Sequence, residues 1–132
     1  MNTQERADVL IVDDNVSLAR ATALVLQRKG YAVSAAWNGL EAIERAKEKS
    51  FDLILMDIKM PLIDGVETYR RIKKIRPQAA VMMMTGYAVE DLVQQALQEG
   101  ACGIIYKPLD IEKLVARIEE ARGNNGAAHH DA

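Results

Sequence analysis

Three carboxylates, one hydroxyl and one primary amine stand where this chain could do chemistry: Asp13 and Asp14, Asp57, Thr85 and Lys107. Each follows directly on a mostly apolar run, so each is delivered to the end of a buried segment. Carboxylates packed together raise one another's pKa unless a cation lies among them. An all-oxygen donor set without His or Cys suits a hard ion, and a few carboxylates completed by water and a phosphate is the habit of Mg²⁺. An ammonium can pair with a phosphoryl oxygen while a hydroxyl hydrogen-bonds another. A carboxylate can also be the nucleophile and carry an aspartyl phosphate. The set points to metal-assisted phosphoryl transfer onto an aspartate, provided the fold brings the five residues together.

The elements between them supply that condition. Residues 9–12 are wholly apolar and stop at Asp13, as in a strand buried on both faces of a parallel sheet. A helix follows over about 16–29, ended by Gly30. Residues 31–36 read as a second strand, and Asn38 with Glu41 three residues on opens a helix to about 49. Residues 53–56 form a third strand closed by Asp57. Beyond Pro61, Asp64-Gly65-Val66-Glu67 repeats the capping pattern before a helix to about 76. Residues 79–84 form a strand closed by Thr85-Gly86. Val89, Leu92, Val93, Ala96 and Leu97 then share one helix face. Residues 103–106 are a short strand closed by Lys107-Pro108, and Asp110 caps a last helix striped by Ile111, Leu114, Val115 and Ile118. Five strands alternating with five helices imply an α/β fold, a parallel sheet with helices on both faces. All its strands then end at one edge, where ligands of such sheets bind. Residues 1–122 are expected to form one domain and 123–132 a flexible polar tail.

Composition narrows the classes of function. Hydrophobic residues make up 49% and charged residues 27%, so the chain can bury a core. A net charge of -2 gives no basic footprint for nucleic acid or an anionic membrane. The single cysteine allows no internal disulfide, residues 1–6 are polar and show no signal-peptide pattern, and no run approaches the ~18 apolar residues of a membrane span. A cytoplasmic setting is expected. Met82-Met83-Met84 reads as core packing of a central strand, Cys102 as a small packed residue, and His129-His130 as part of the tail. Arg70-Arg71 and Lys73-Lys74 read as a solvated helix face that could instead dock an acidic partner. Asp64-Gly65 reads as a cap and turn.

Asp13-Asp14, Met56-Asp57 with Met60-Pro61 and Asp64-Gly65, Thr85-Gly86, and Lys107-Pro108 form an ordered set at specific spacings. Over about residues 7–121 the chain resembles a response-regulator receiver domain of two-component signalling, the CheY-like group. The resemblance implies a doubly wound, flavodoxin-like sheet in strand order 2-1-3-4-5. It implies Asp57 as phosphoacceptor, Asp14 as a direct Mg²⁺ ligand with Asp13 acting largely through water, and the backbone carbonyl of Lys59 completing the metal site. Thr85 would be the switch hydroxyl and Lys107 the phosphate-pairing cation, with the Lys107-Pro108 bond cis.

The resemblance further implies a signalling module rather than a turnover enzyme. Its partners would be a sensor histidine kinase or a histidine phosphotransfer protein, and a downstream output protein or domain read through the last two helices and last strand. It would be a monomer or a weak phosphorylation-dependent dimer. Ile104 stands where many members carry an exposed aromatic, leaving Tyr87 or Tyr106 to take that part. Lys59 and Tyr87 would flank the approach of hydrolytic water, so a long-lived phosphorylated form is expected. Two rivals are weighed. An aspartate-nucleophile phosphatase usually carries a second Asp two residues after the nucleophile, where this chain has Lys59. A receiver that no longer accepts phosphate tends to lose an acidic, Thr or Lys position, and none is lost here.

Overall fold

The computed structural model describes residues 6–86 and 90–131, with side chains through Gly123 apart from Glu90. Its elements run β1 (Asp8–Val12), α1 (Val16–Arg28), β2 (Ala32–Ala36), α2 (Gly39–Glu48), β3 (Leu53–Asp57), α3 (Gly65–Ile75), β4 (Val81–Thr85), α4 (Glu90–Gln98), β5 (Gly103–Tyr106) and α5 (Ile111–Asp131). The five strands are parallel, in order β2-β1-β3-β4-β5. This is the α/β sheet expected from the alternation, in the strand order implied by the resemblance.

Side chains alternate across a strand, so an unbroken apolar run feeds both faces of the sheet. Leu10, Val12, Ile54, Met56 and Met83 pack with residues of α2, α3 and α4, while Val9, Ile11, Leu53, Leu55, Met82 and Met84 pack with residues of α1 and α5. The three consecutive methionines of β4 are thus divided between two cores and fully committed to packing. The less apolar β2 lies at one edge, where most of its residues are only half-buried.

Side-chain oxygens start the helices where the sequence placed them. Asn38 accepts from the Glu41 amide at 2.9 Å, Asp64 from the Glu67 amide at 2.9 Å, and Asp110 from the Glu112 amide at 3.0 Å. Asn15 does the same for α1, accepting from the Leu18 amide at 3.1 Å. The Glu41 carboxylate reaches back to the Trp37 amide at 2.6 Å, one residue before the cap.

Some boundaries differ from the sequence reading. β4 begins at Val81, because Ala79 still belongs to a turn in which its amide bonds the Arg76 carbonyl at 2.9 Å. The expected fourth-helix position Val89 lies outside the described residues. Helical backbone of α5 continues over 123–131, the segment read as a tail. Cys102 is an exposed residue rather than a packed one, and its amide bonds the Val81 carbonyl at 2.9 Å, entering the sheet.

Candidate functional site

Parallel pairing aligns the strand ends. Val12 lies opposite Met56, Asp57 opposite Met84, and Thr85 opposite Tyr106. The residues just beyond each strand therefore meet. Carboxylate oxygens of Asp13, Asp14 and Asp57 all lie within 4.8 Å of one another. Asp13 is 2% and Asp57 8% exposed, whereas Asp14 faces solvent. With Asn15, Leu18, Lys59, Gly86 and Lys107 these three line an open cavity of about 500 Å³.

A lysine occupies the place between two of the carboxylates. Lys107 Nζ donates to Asp13 Oδ2 at 2.8 Å and to Asp57 Oδ2 at 3.0 Å. The other Asp57 oxygen accepts from the Lys59 amide at 3.3 Å, and Asp13 Oδ1 accepts from the Asn15 amide at 2.9 Å. Burial pushes the Asp57 carboxyl above its ordinary pKa; Lys107 draws it back and neighbouring Asp13 adds to the rise. For Lys107, burial disfavours the ammonium, but the two carboxylates outweigh it and its pKa is raised. The ammonium therefore stays charged and is held at the centre of the cluster.

The loop after β3 is fixed by a close approach. An added Cβ at Gly65 would lie 2.5 Å from the Asp57 carbonyl oxygen and 2.8 Å from Ile58 Cα, and the Gly65 amide bonds the Ile58 carbonyl at 2.9 Å. The start of α3 rests directly on the backbone that carries Asp57. Asp64-Gly65 is the structural cap and turn the sequence suggested, with a positioning consequence that the pattern alone did not reveal.

Of the other residues singled out, Thr85 is buried at the end of β4, and its carbonyl accepts the Lys107 amide at 2.8 Å. It adjoins the cavity without lining it. The Lys107-Pro108 peptide is cis. Ile104 is half-buried against the core beneath α2 to α4, while Tyr106, opposite Thr85, is 61% exposed. Tyr87 lies outside the described residues. Asn15, which both caps α1 and holds Asp13, escaped the sequence reading. Its signal was present: a capping residue immediately after an acidic pair.

The family model "Response regulator receiver domain" matches residues 9–119. The chain belongs to that family, the receiver domains of two-component systems. It is 43% identical over 117 residues to the transcriptional regulatory protein ZraR of Klebsiella oxytoca, an alignment covering 89% of this chain and 26% of the relative. The chain thus spans about a quarter of the length of that relative. A CheY-like receiver domain protein from Methanospirillum hungatei superposes with a TM-score of 0.88 at 31% identity, covering 93% of this chain and 98% of the other. A response regulator protein from Burkholderia pseudomallei, described with a phosphorylated aspartic acid, a calcium ion and citrate, gives a TM-score of 0.80 at 29% identity, covering 93% and 72%.

Proposed function

We propose that Asp57 accepts a phosphoryl group from a phosphohistidine of a partner, either a sensor histidine kinase or a histidine phosphotransfer protein. The observation that carries this reading is the cluster itself: three carboxylates within 4.8 Å and one ammonium bonded to two of them, at one sheet edge. An Asp57 carboxylate oxygen forms the new bond to phosphorus as the N–P bond to the donor imidazole breaks. The imidazole leaves with the bonding pair and takes up a proton. Both Asp57 oxygens are engaged before the reaction. Each accepts one hydrogen bond and keeps a lone pair free for the attack, and the Lys107 ammonium would then pair with a phosphoryl oxygen while remaining beside Asp13. Thr85 would hydrogen-bond a second phosphoryl oxygen.

The site suits Mg²⁺, because its carboxylates offer oxygen donors only and Lys107 pairs with two of the three. Asp13, Asp14, Asp57 and the Lys59 carbonyl would hold the ion. When bound it would offset the charge gathering at the acyl phosphate. The Burkholderia neighbour, described with a phosphorylated aspartic acid and a calcium ion, supports both parts of this reading.

Phosphorylation replaces the single charge of ionised Asp57 with roughly -2 on the phosphoryl group, beside Asp13 and Lys107. Inward movement of Thr85 and Lys107 would carry that change to α4, β5 and α5, where a cytoplasmic output partner or attached domain reads it. The ZraR relative is a transcriptional regulator, and any contact with nucleic acid would belong to such a further part rather than to this acidic domain. Among the described residues no helix is long and apolar enough to cross a membrane.

Acetyl phosphate with Mg²⁺ tests the reading. One phosphoryl group should be added per chain by intact mass, none after Asp57→Asn and little when the divalent ion is chelated. Undiminished labelling of Asp57→Asn would contradict the assignment.

A further inference from the structure

The α3 segment Arg70-Arg71-Ile72-Lys73-Lys74 carries four cations that the phosphoryl chemistry does not use. They divide into two pairs. Arg70 turns toward the end of α4, with Nε 2.7 Å and Nη2 2.6 Å from the two carboxylate oxygens of Glu99. Lys73 donates to the Ala79 carbonyl at 3.2 Å. These two are occupied within the fold. Arg71 and Lys74 face the other way, onto a groove between α2 and α3 of about 620 Å³. Arg71 pairs with Glu67 at 3.0 Å, while Lys74 forms an ion pair with none of the described residues.

The floor of that groove is apolar: Leu40, Ile43 and Ile75 line it. Ile43 belongs to the buried side of α2, but Leu40 is 46% exposed and contributes little to the core. Lys47, Arg71 and Lys74 stand around the floor against one carboxylate, Glu44, itself paired with Lys47 at 3.2 Å. Counting Glu67 as well, cations still exceed anions, on a chain whose net charge is -2. The groove is also built rather than incidental. At one end a Cβ on Gly39 would collide with the Thr68 hydroxyl and the Ile63 side chain, so α2 and the approach to α3 are in intimate contact. At the other end Arg76 Nε donates to the Ala46 carbonyl at 2.8 Å and ties α3 to the last turn of α2. Pinning at both ends leaves the middle open and pre-shaped, which lowers the ordering cost of binding.

We infer that the α2–α3 groove docks an amphipathic helix of a partner protein whose apolar side is bordered by Asp and Glu. Leu40, Ile43 and Ile75 receive the apolar side, and Lys74 with Arg71 and Lys47 selects for acidic borders. This surface is separate from the Asp57 cavity and from α4, β5 and α5. It gives the domain a contact that does not depend on the phosphoryl site.

The probe is a synthetic helix of about four turns, with Leu at i, i+3, i+4 and i+7 and Glu beside them. Its control has Lys in place of every Glu. Amide NMR of the whole chain should show the acidic peptide shifting residues 40–47 and 71–75, with the shifts shrinking as salt is raised. The basic peptide should leave them unmoved. Lys74→Glu, on an exposed helix position that leaves the core intact, should weaken binding about tenfold or more, and Leu40→Ser by a similar factor. Equal response to both peptides, shifts centred elsewhere, no shift with the acidic peptide, or undiminished binding by Lys74→Glu would overturn the inference. So would movement of the same amides with protein concentration alone, which would assign the groove to a second copy of the chain.

Discussion

Lys107 decides the electrostatics of the site. Clustered carboxylates need a cation among them, and without a divalent ion that part falls to this ammonium, bonded to both Asp13 and Asp57. One lysine still leaves Asp57 with a raised pKa, burial being the largest cause. The sign follows: a carboxyl whose folded pKa lies above its unfolded one favours folding most while protonated, and that contribution is lost as pH rises through the folded value. At neutral pH the ionised Asp57 therefore opposes folding. Asp57→Asn should raise Tm in the presence of a chelator. Its advantage should close as pH falls towards the ordinary value of 3.8. Lys107→Met should act oppositely, at a cost of about 3 kcal/mol, because two buried carboxylates lose their shared cation. A lower Tm for Asp57→Asn at neutral pH would refute this account of the site's charge. These residues were legible in the sequence because each ends a mostly apolar run. The double engagement of Lys107 was not, since it depends on which of two neighbouring acids the long side chain reaches.

Among the elements, the start of α3 controls where Asp57 can sit. Gly65→Ala places a methyl group against the Asp57 carbonyl and Ile58 Cα, backbone atoms that cannot swing aside as a side-chain tip could. The substitution should cost about 1–3 kcal/mol and slow labelling by acetyl phosphate, as urea melts and a labelling time course would show. Wild-type stability and rate together would mean that α3 does not position the acceptor. Capping residues made the starts of α2, α3 and α5 readable, because an Asn or Asp oxygen meeting an amide two or three residues on is a local event. Other boundaries depend on longer context. Ala79 looks like strand by composition, yet its amide is taken by the turn from Arg76. The polar residues after 122 suggested a tail, but polarity does not end a helix, and no proline interrupts α5 before Asp131.

Across the whole molecule, the alternation of strands and helices was legible because period and length carry it, while the order of the strands came from the family resemblance. Contacts between distant segments were invisible beforehand. Tyr31 donates its hydroxyl to Glu119 Oε2 at 2.6 Å, 88 positions away, joining the start of β2 to α5. Burial, aided by that carboxylate, pushes the Tyr31 pKa up to about 12 from its ordinary 10.0. The protonated form is favoured in the folded state, so its contribution is whole below pH 10 and is lost as pH rises through about 12. Urea midpoints across that interval should fall more steeply for wild type than for Tyr31→Phe, which should also be less stable at neutral pH by about 1 kcal/mol. Parallel curves would show that the tyrosine does not titrate in this way.

The central claim is that the sheet edge assembles an acceptor at Asp57, and the chemistry of an acyl phosphate allows it to be located directly. Borohydride reduces an aspartyl phosphate to homoserine while sparing free carboxylates. Wild-type protein labelled with acetyl phosphate and Mg²⁺, then reduced and digested, should yield homoserine at position 57 and at no other aspartate. Homoserine at Asp13 or Asp14, or none anywhere despite bound phosphate, would contradict the assignment of the site.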